Sequence, residues 1–203
     1  MTRNYRLLFG PIAGIVLGFG IVGLALLIPG YSHVQQTVSE IGEIGSPARI
    51  PFAVMLGCVA LCILIFASAV RDVSVAAHHS RFAAYLIGFM ALPAMGIGVF
   101  AYPHPAHNIF GMSELIGYQA PLAFALTWRQ DPRAKTLVLL SWIFFALIWG
   151  AIFLNLSPFV PSLWVYLKPV HGLLQRALFA AWFGWCAVAG ILLLKRNWQS
   201  PAH

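Results

Sequence analysis

A polar stretch at residues 31–49, YSHVQQTVSEIGEIGSPAR, separates two long apolar runs. It holds His33, Ser39 and Glu40. Imidazoles and carboxylates act as general acids, bases and metal ligands, and a serine beside an imidazole base can act as a nucleophile. Chemistry, if this chain performs any, is therefore expected to involve this stretch.

A second polar set begins at HPAH, residues 104–107. Pro105 suits the first turn of a helix, with His104 near its cap. Such a helix would align His107, Gly111, Glu114 and Tyr118 on one face, with Glu114 about 10 Å below His107. The result would be a polar stripe running into an otherwise apolar segment.

A third polar set is HGLLQR, residues 171–176. A helix beginning at His171 would carry Arg176 about 7.5 Å along its axis, at a depth comparable with Glu114. An ionisable group inside a membrane usually faces the bundle interior and has a partner. We therefore predict that Glu114 and Arg176 pair or share a hydrogen-bond network; an ion pair of purely structural role is the alternative.

The elements that must position these residues are transmembrane helices. Of the 203 residues, 61% are hydrophobic and only 8% charged, against roughly 25% charged in soluble domains. A span needs about 20 apolar residues, and the runs lack the polar alternation of barrel strands. The chain, residues 1–203, is predicted to be a single all-α domain of six spans: Leu7–Pro29, Ile50–Val70, Phe82–Pro103, Ile109–Trp128, Leu137–Leu156 and His171–Leu194.

Two sequence features predict how these helices pack. Gly10, Gly14 and Gly18 recur every four residues, a spacing that lets a neighbouring backbone approach closely in lipid. Pro93 and Pro121 lie within the third and fourth spans. Each removes a backbone donor, so we predict a bend in both helices.

Basic residues predict the orientation, because they accumulate beside cytoplasmic helix ends. Both termini and the second and fourth connections hold nine of them, whereas the other three connections hold Arg49 and Lys168. We predict an inner-membrane protein with both termini cytoplasmic, so that the +7 charge reflects topology and anionic lipid and leaves no nucleic-acid site. The nine are Arg3, Arg6, Arg71, Arg81, Arg129, Arg133, Lys135, Lys195 and Arg196.

The first outer connection is predicted to form a short amphipathic helix. If residues 33–44 are helical, His33, Gln36, Glu40 and Glu43 share one face. That face could lie in water while the helix rests on the membrane. Alternatively, it could turn inward over the mouth of the bundle and close a pocket against the fourth and sixth spans.

Two kinds of catalytic site are compatible with this pocket. His33, His107 and His171, with His104 nearby, could bind zinc, which activates water while Glu40 or Glu114 acts as a base. No H-E-x-x-H motif is present to support a metal site. Ser32 or Ser39 with a histidine base is the second enzymatic option, and a lipid or lipid-like substrate would suit either.

A non-enzymatic role remains open beside these. Tyr31, Arg176, Gln175 and Tyr118 could bind the head group of a lipid or another small ligand. The protein could equally be an accessory subunit of a larger membrane complex, or form a homo-oligomer. Bound metal, or a co-purifying lipid, would separate these alternatives.

The segments YSHVQQTVSEIG, HPAH and HGLLQR together resemble the prokaryotic multi-pass membrane proteins grouped as domain-of-unknown-function family 998. The resemblance covers most of the chain and implies the six-helix fold and its topology. It implies no activity. The matching positions are Tyr31, Ser32, His33, Ser39, Glu40, His104, His107, Gly172 and Arg176.

Overall fold

The structure, a computed structural model, describes residues 4–196 and residue 198. Arg3, one of the basic residues used above for orientation, lies outside this part. Six helical segments are long and apolar enough to cross a membrane, which confirms the predicted all-α bundle. They are Tyr5–Ala25, Arg49–Ala76, Phe82–Val99, Pro105–Trp128, Pro132–Asn155 and Pro161–Lys195.

Nine α-helices build these segments within the described residues. The first, second and fifth segments hold α1 (Phe9–Ala25), α2 (Arg49–Ala76) and α7 (Lys135–Asn155). The third, fourth and sixth are each divided in two. They hold α3 (Phe82–Phe89) and α4 (Ala91–Val99), α5 (Pro105–Gly117) and α6 (Ala120–Trp128), and α8 (Pro161–Leu167) and α9 (His171–Lys195).

The interruptions in the third and fourth segments confirm the predicted effect of their prolines. α3 ends at Phe89 and α5 ends at Gly117, in each case four residues before the proline of the next helix. A proline lacks the amide hydrogen that would bond to that carbonyl, and its ring clashes with it. Each segment is therefore interrupted about one turn before its proline.

The fourth segment packs differently above and below its bend. Its α6 half lies against α7, whereas its α5 half lies against α3 and α4. α7 packs along α9, and α9 along α1. Within the described residues, α6 consequently packs on α7, whereas α5 makes few or no close backbone approaches to it.

Close backbone contact between α1 and α9 confirms part of the glycine prediction. A Cβ built on Gly10 would lie 2.7 Å from the carbonyl oxygen of Cys186, and one on Gly14 would lie 3.2 Å from Phe183. A side chain on Gly18 would meet nothing within 4 Å. Gly10 and Gly14 thus bring the two helices together, and Gly18 does not.

The connection between α1 and α2, residues 26–48, is called loop 1 here. Its helix is shorter than predicted: a 3₁₀ helix spans Val38–Gly42, and the residues before it form turns. Val38 and Ile41 are buried, and the short helix packs against α1, α2 and α9. Loop 1 therefore covers one end of the bundle, which we call the loop-1 end, with its apolar side inward.

Glu40 explains why the helix begins where it does. Its carboxylate accepts hydrogen bonds from the backbone N–H and the hydroxyl of Thr37, at 3.1 and 3.0 Å. This is a capping box, which satisfies amide groups that a helix start leaves unpaired. Glu40, predicted to be a catalytic base, is thus engaged in holding the local structure.

Candidate active site

Arg176 makes four hydrogen bonds, of which three join α9 to loop 1 and one stays within α9. Nη1 donates to the carbonyl oxygens of Gln36 at 2.9 Å and Gly172 at 2.8 Å. Nη2 donates to the hydroxyl of Tyr31 at 2.7 Å and to Nδ1 of His33 at 3.1 Å. The planar guanidinium presents five donors in a fixed fork, whereas a lysine ammonium offers three donors from one nitrogen.

Further contacts fasten loop 1 to the same helix. The Tyr31 hydroxyl donates to the carbonyl of Thr37 at 2.6 Å, and the amide of Val38 donates to Oε1 of Gln175 at 2.5 Å. Gly172 is required here because a Cβ would overlap the carbonyl oxygen of Gln36. The residues expected to bind a ligand, Tyr31, Gln175 and Arg176, instead position loop 1.

Burial sets the protonation of the two loop residues that contact Arg176. Burial lowers the pKa of His33, and the neighbouring guanidinium charge lowers it further. His33 is therefore neutral near pH 7 and accepts through Nδ1. Burial also raises the pKa of Tyr31 by more than the Arg176 contact lowers it, so its phenol keeps its proton.

The predicted pairing of Glu114 with Arg176 is wrong. Glu114 accepts a hydrogen bond from the hydroxyl of Tyr118 at 2.8 Å, while Arg176 is directed toward loop 1. The stripe of His107, Glu114 and Tyr118 nevertheless faces inward as predicted, because all three line one cavity. The prediction compared only the positions of Glu114 and Arg176 along their helices, whereas loop 1 provides the acceptors that Arg176 contacts.

Ser39 and His107 form the one close pair of a nucleophile and a base that the described residues place at this cavity. Oγ of Ser39 lies 3.0 Å from Nε2 of His107, across 68 positions of sequence. The His107 Nδ1 lies 2.9 Å from the carbonyl oxygen of Phe100. His107 is buried, and both residues line the cavity.

These contacts determine which nitrogen of His107 carries the proton. A carbonyl oxygen can only accept, so Nδ1 must be the donor to Phe100. Nε2 of the neutral ring then carries a lone pair and accepts from the Ser39 hydroxyl. This is the arrangement in which a histidine can take a proton from a serine, with a backbone carbonyl orienting the base.

The cavity has a volume of about 440 Å³, within the range of small-molecule sites in proteins. Its polar lining includes Asn108 on α5, Asn155 on α7 and His171 on α9. Asn155 donates to the carbonyls of Ala151 and Leu174, both at 2.9 Å, and so ties α7 to α9. The apolar lining comes largely from α2, α4, α7 and α9.

The four histidines predicted as zinc ligands have separate surroundings. His33 faces a guanidinium, and His104 accepts from the amide of Ala106 at 3.1 Å as the predicted helix cap. His107 uses both nitrogens within the protein, and His171 packs on Trp164 with ring centroids 5.1 Å apart. Residues 4–196 contain no group of three or more His, Cys, Asp or Glu side chains placed to hold a metal ion.

Sequence reasoning missed the groups that orient the pair. The carbonyl of Phe100 has no sequence signal, because every residue has one. Gln175 was predicted to bind a ligand. Its side-chain oxygen instead accepts a hydrogen bond from the backbone N–H of Val38, next to Ser39. The link between residues 39 and 107 arises only when loop 1 folds over α5.

Fold and site together define a multi-pass membrane protein that has a serine–histidine pair in a cavity within its helical bundle. The chain belongs to the DUF998 family, described as proteins of unknown function, whose family model matches residues 11–192. No curated protein and no solved structure matches the chain.

Proposed function

We propose that this protein is a membrane hydrolase in which Ser39 is the nucleophile and His107 is the general base. The observation that carries the proposal is the 3.0 Å contact between Ser39 Oγ and His107 Nε2 inside a ligand-sized cavity. The substrate would be an ester or amide of a lipid or lipid-like molecule.

The reaction would follow the two-step course of serine hydrolases. Ser39 Oγ attacks the carbonyl carbon of the substrate while its proton passes to Nε2 of His107. The tetrahedral intermediate collapses, and the leaving alcohol or amine takes that proton and departs, so that an acyl group remains on Ser39. Water, deprotonated by His107, then releases the acid and restores the hydroxyl.

The surroundings of the pair favour a lipid-like substrate. The cavity lies within membrane-spanning helices, and most of its exposed lining is apolar. The basic residues Arg71, Arg81 and Arg129 flank the opposite end of the bundle. By the positive-inside rule, this supports an extracytoplasmic loop-1 end in an inner-membrane protein.

The test is labelling of the purified protein in detergent by a fluorophosphonate probe, which reacts with activated serines. We expect labelling at Ser39 that Ser39→Ala abolishes. Ser113→Ala is the matched control, because the hydroxyl of Ser113 only donates to the carbonyl of Phe110, at 2.7 Å, on the same helix. Absence of labelling in folded wild-type protein would refute the proposal.

Ligand binding without chemistry is the second candidate, and the size of the cavity favours it independently of the serine. It predicts a co-purifying lipid and no reaction with the probe. The zinc prediction is tested in the same preparation: stoichiometric metal, lost on His107→Ala and His171→Ala, would support a metal hydrolase instead.

A further inference from the structure

The cavity extends from the loop-1 end to about the middle of the bundle. Three helical walls show this independently: the lining includes Phe52 and Ile63 on α2, His107 on α5 and Tyr118 just past it, and His171 and Trp182 on α9, where it ends one residue later at Phe183. Each pair is eleven positions apart, or about 16 Å along a helix. The hydrocarbon core is about 30 Å thick, so the cavity is one leaflet deep.

The cavity also has a side opening. α5 packs on α3 and α4, and in the described chain it makes few or no close backbone approaches to α7 or α9. Met112 on α5 and Phe159 after α7 line the cavity, yet they are 55% and 79% exposed. The cavity is therefore open at the side of the bundle between α5 and the segment that follows α7, and we call this opening the lateral gap.

The cavity walls differ in polarity. Glu114 and Tyr118 lie on the α5 side and bond to each other at 2.8 Å. The lining from α2 and α4 is apolar and includes Leu56, Val59 and Ala94. An alkyl chain lying along α2 and α4 would bury its apolar surface against apolar side chains.

We infer that the lateral gap admits one acyl chain of a bilayer lipid, which lies along α2 and α4 with its carbonyl group beside Ser39. The chain end would reach the cavity floor near Ile63 and Trp182. The inference names the substrate class of the proposed hydrolase and rests on it for the reaction. Chain binding itself does not depend on catalysis.

Photolabelling tests the binding directly. The probe is a lysophosphatidylcholine with a diazirine at the end of its acyl chain, added to the Ser39→Ala variant in lipid nanodiscs. We expect labelling, assigned to single residues by mass spectrometry, at cavity-lining positions such as Ile63 and Leu178, and we expect unmodified lysophosphatidylcholine to compete. Labelling confined to lipid-facing residues such as Leu61, without competition, would overturn the inference.

A glycine provides a test through chain length. Gly111 lines the cavity, and a Cβ built on it meets nothing within 4 Å. Gly111→Leu should therefore place a side chain in the cavity, since a Cβ at this position has open space around it. We expect hydrolysis of a p-nitrophenyl palmitate to fall at least about tenfold, while hydrolysis of the butyrate and fluorophosphonate labelling at Ser39 persist.

Gly150→Leu is the matched control. Gly150 is an exposed residue of α7, also with nothing within 4 Å of a built Cβ. Labelling of Ser39 with unchanged chain-length preference in Gly111→Leu would refute the acyl pocket and leave the hydrolase. Deep photolabelling in a protein whose Ser39 never reacts would refute the hydrolase and leave the pocket.

Discussion

The two ends of the bundle each hold a buried histidine contact, and their partners differ. At the loop-1 end, His107 meets the Ser39 hydroxyl and a backbone carbonyl. At the other end, Nε2 of His79 lies 3.0 Å from Oδ2 of Asp131. The first histidine has only neutral partners, whereas the second faces a carboxylate.

The surroundings of Asp131 show what that difference means. Arg133 contacts the same carboxylate at 2.8 Å, and His79 stacks on Trp128 with ring centroids 4.2 Å apart. The hydrogen bond from Arg133 is the main reason why the pKa of Asp131 is well below its usual range. His79 and Arg133 thus satisfy a nearly buried anion, while His107 keeps a basic nitrogen directed at a hydroxyl in a cavity.

The largest expected effect comes from applying one substitution at both ends. His107→Gln keeps a donor for the Phe100 carbonyl but removes the base, so we expect ester hydrolysis to fall by about 10² to 10⁴-fold. His79→Gln should leave the rate within about twofold of wild type, since it contacts no part of the cavity. Initial rates with p-nitrophenyl butyrate check both, and equal losses would mean that the loop-1 pair has no special role.

The second comparison concerns the two arginines. Arg176→Lys removes a planar group that makes four hydrogen bonds. We expect a loss of about 1.5 to 3 kcal/mol, because hydrogen bonds to charged groups contribute this much when buried. Arg133→Lys should cost about 0 to 1 kcal/mol, since its side chain is 39% exposed.

Thermal unfolding in detergent measures both arginine variants. Arg176→Lys should also increase proteolysis within loop 1 and lower the rate of Ser39 labelling, because the guanidinium holds that loop over the cavity. Arg133→Lys should do neither. Labelling that is unaffected by Arg176→Lys would show that Ser39 is positioned by other contacts.

The sequence predicted the helices well because their signals are local. Composition and run length gave six spans, and Pro93 and Pro121 marked the two interruptions. The helix-face spacing correctly aligned His107 with Glu114 and Tyr118 on the cavity wall. All of these depend on residues within a single helix.

The contacts between segments were harder to predict. Loop 1 forms turns and a short 3₁₀ helix, so the face expected for residues 33–44 does not exist. Arg176 donates to the backbone carbonyl of Gln36 in that loop, and a backbone carbonyl has no signal in the sequence. The contact of Ser39 with His107 likewise joins two separate segments, and the Phe100 carbonyl that orients the ring has no signal in the sequence.

A smaller effect is expected at the Asp131 end of the bundle. A carboxylate whose pKa is depressed in the folded state contributes stability above its unfolded pKa of about 3.9, and loses it as the pH falls toward the folded value. Asp131→Asn keeps a cap for Arg133 but does not titrate. The stability difference between wild type and Asp131→Asn should therefore be constant near pH 7 and shrink below about pH 4.

Chemical denaturation at several pH values measures that difference, with Asp72→Asn as the control. Asp72 also contacts arginines, at 2.6 and 3.4 Å, but its side chain is 42% exposed. A pH dependence as large in Asp72→Asn as in Asp131→Asn would mean that burial of Asp131 contributes nothing. Esterase activity at pH 7 should be the same in both variants.

The smallest expected effect is a pH dependence of loop 1 itself. Because burial and Arg176 lower the pKa of His33 in the folded state, the folded protein binds fewer protons there than the unfolded chain. His33 therefore contributes stability that is complete above its unfolded pKa, about 6.5, and is lost as the pH falls through the folded pKa. His33→Asn retains an acceptor for Arg176 without titrating, so between pH 7 and pH 5 wild type should lose stability relative to this variant. His104→Asn is the control: it lies at the same end but outside the Arg176 contacts, so this variant should lose stability relative to His33→Asn just as wild type does. If wild type and His33→Asn show the same change of stability with pH, the prediction for His33 is wrong.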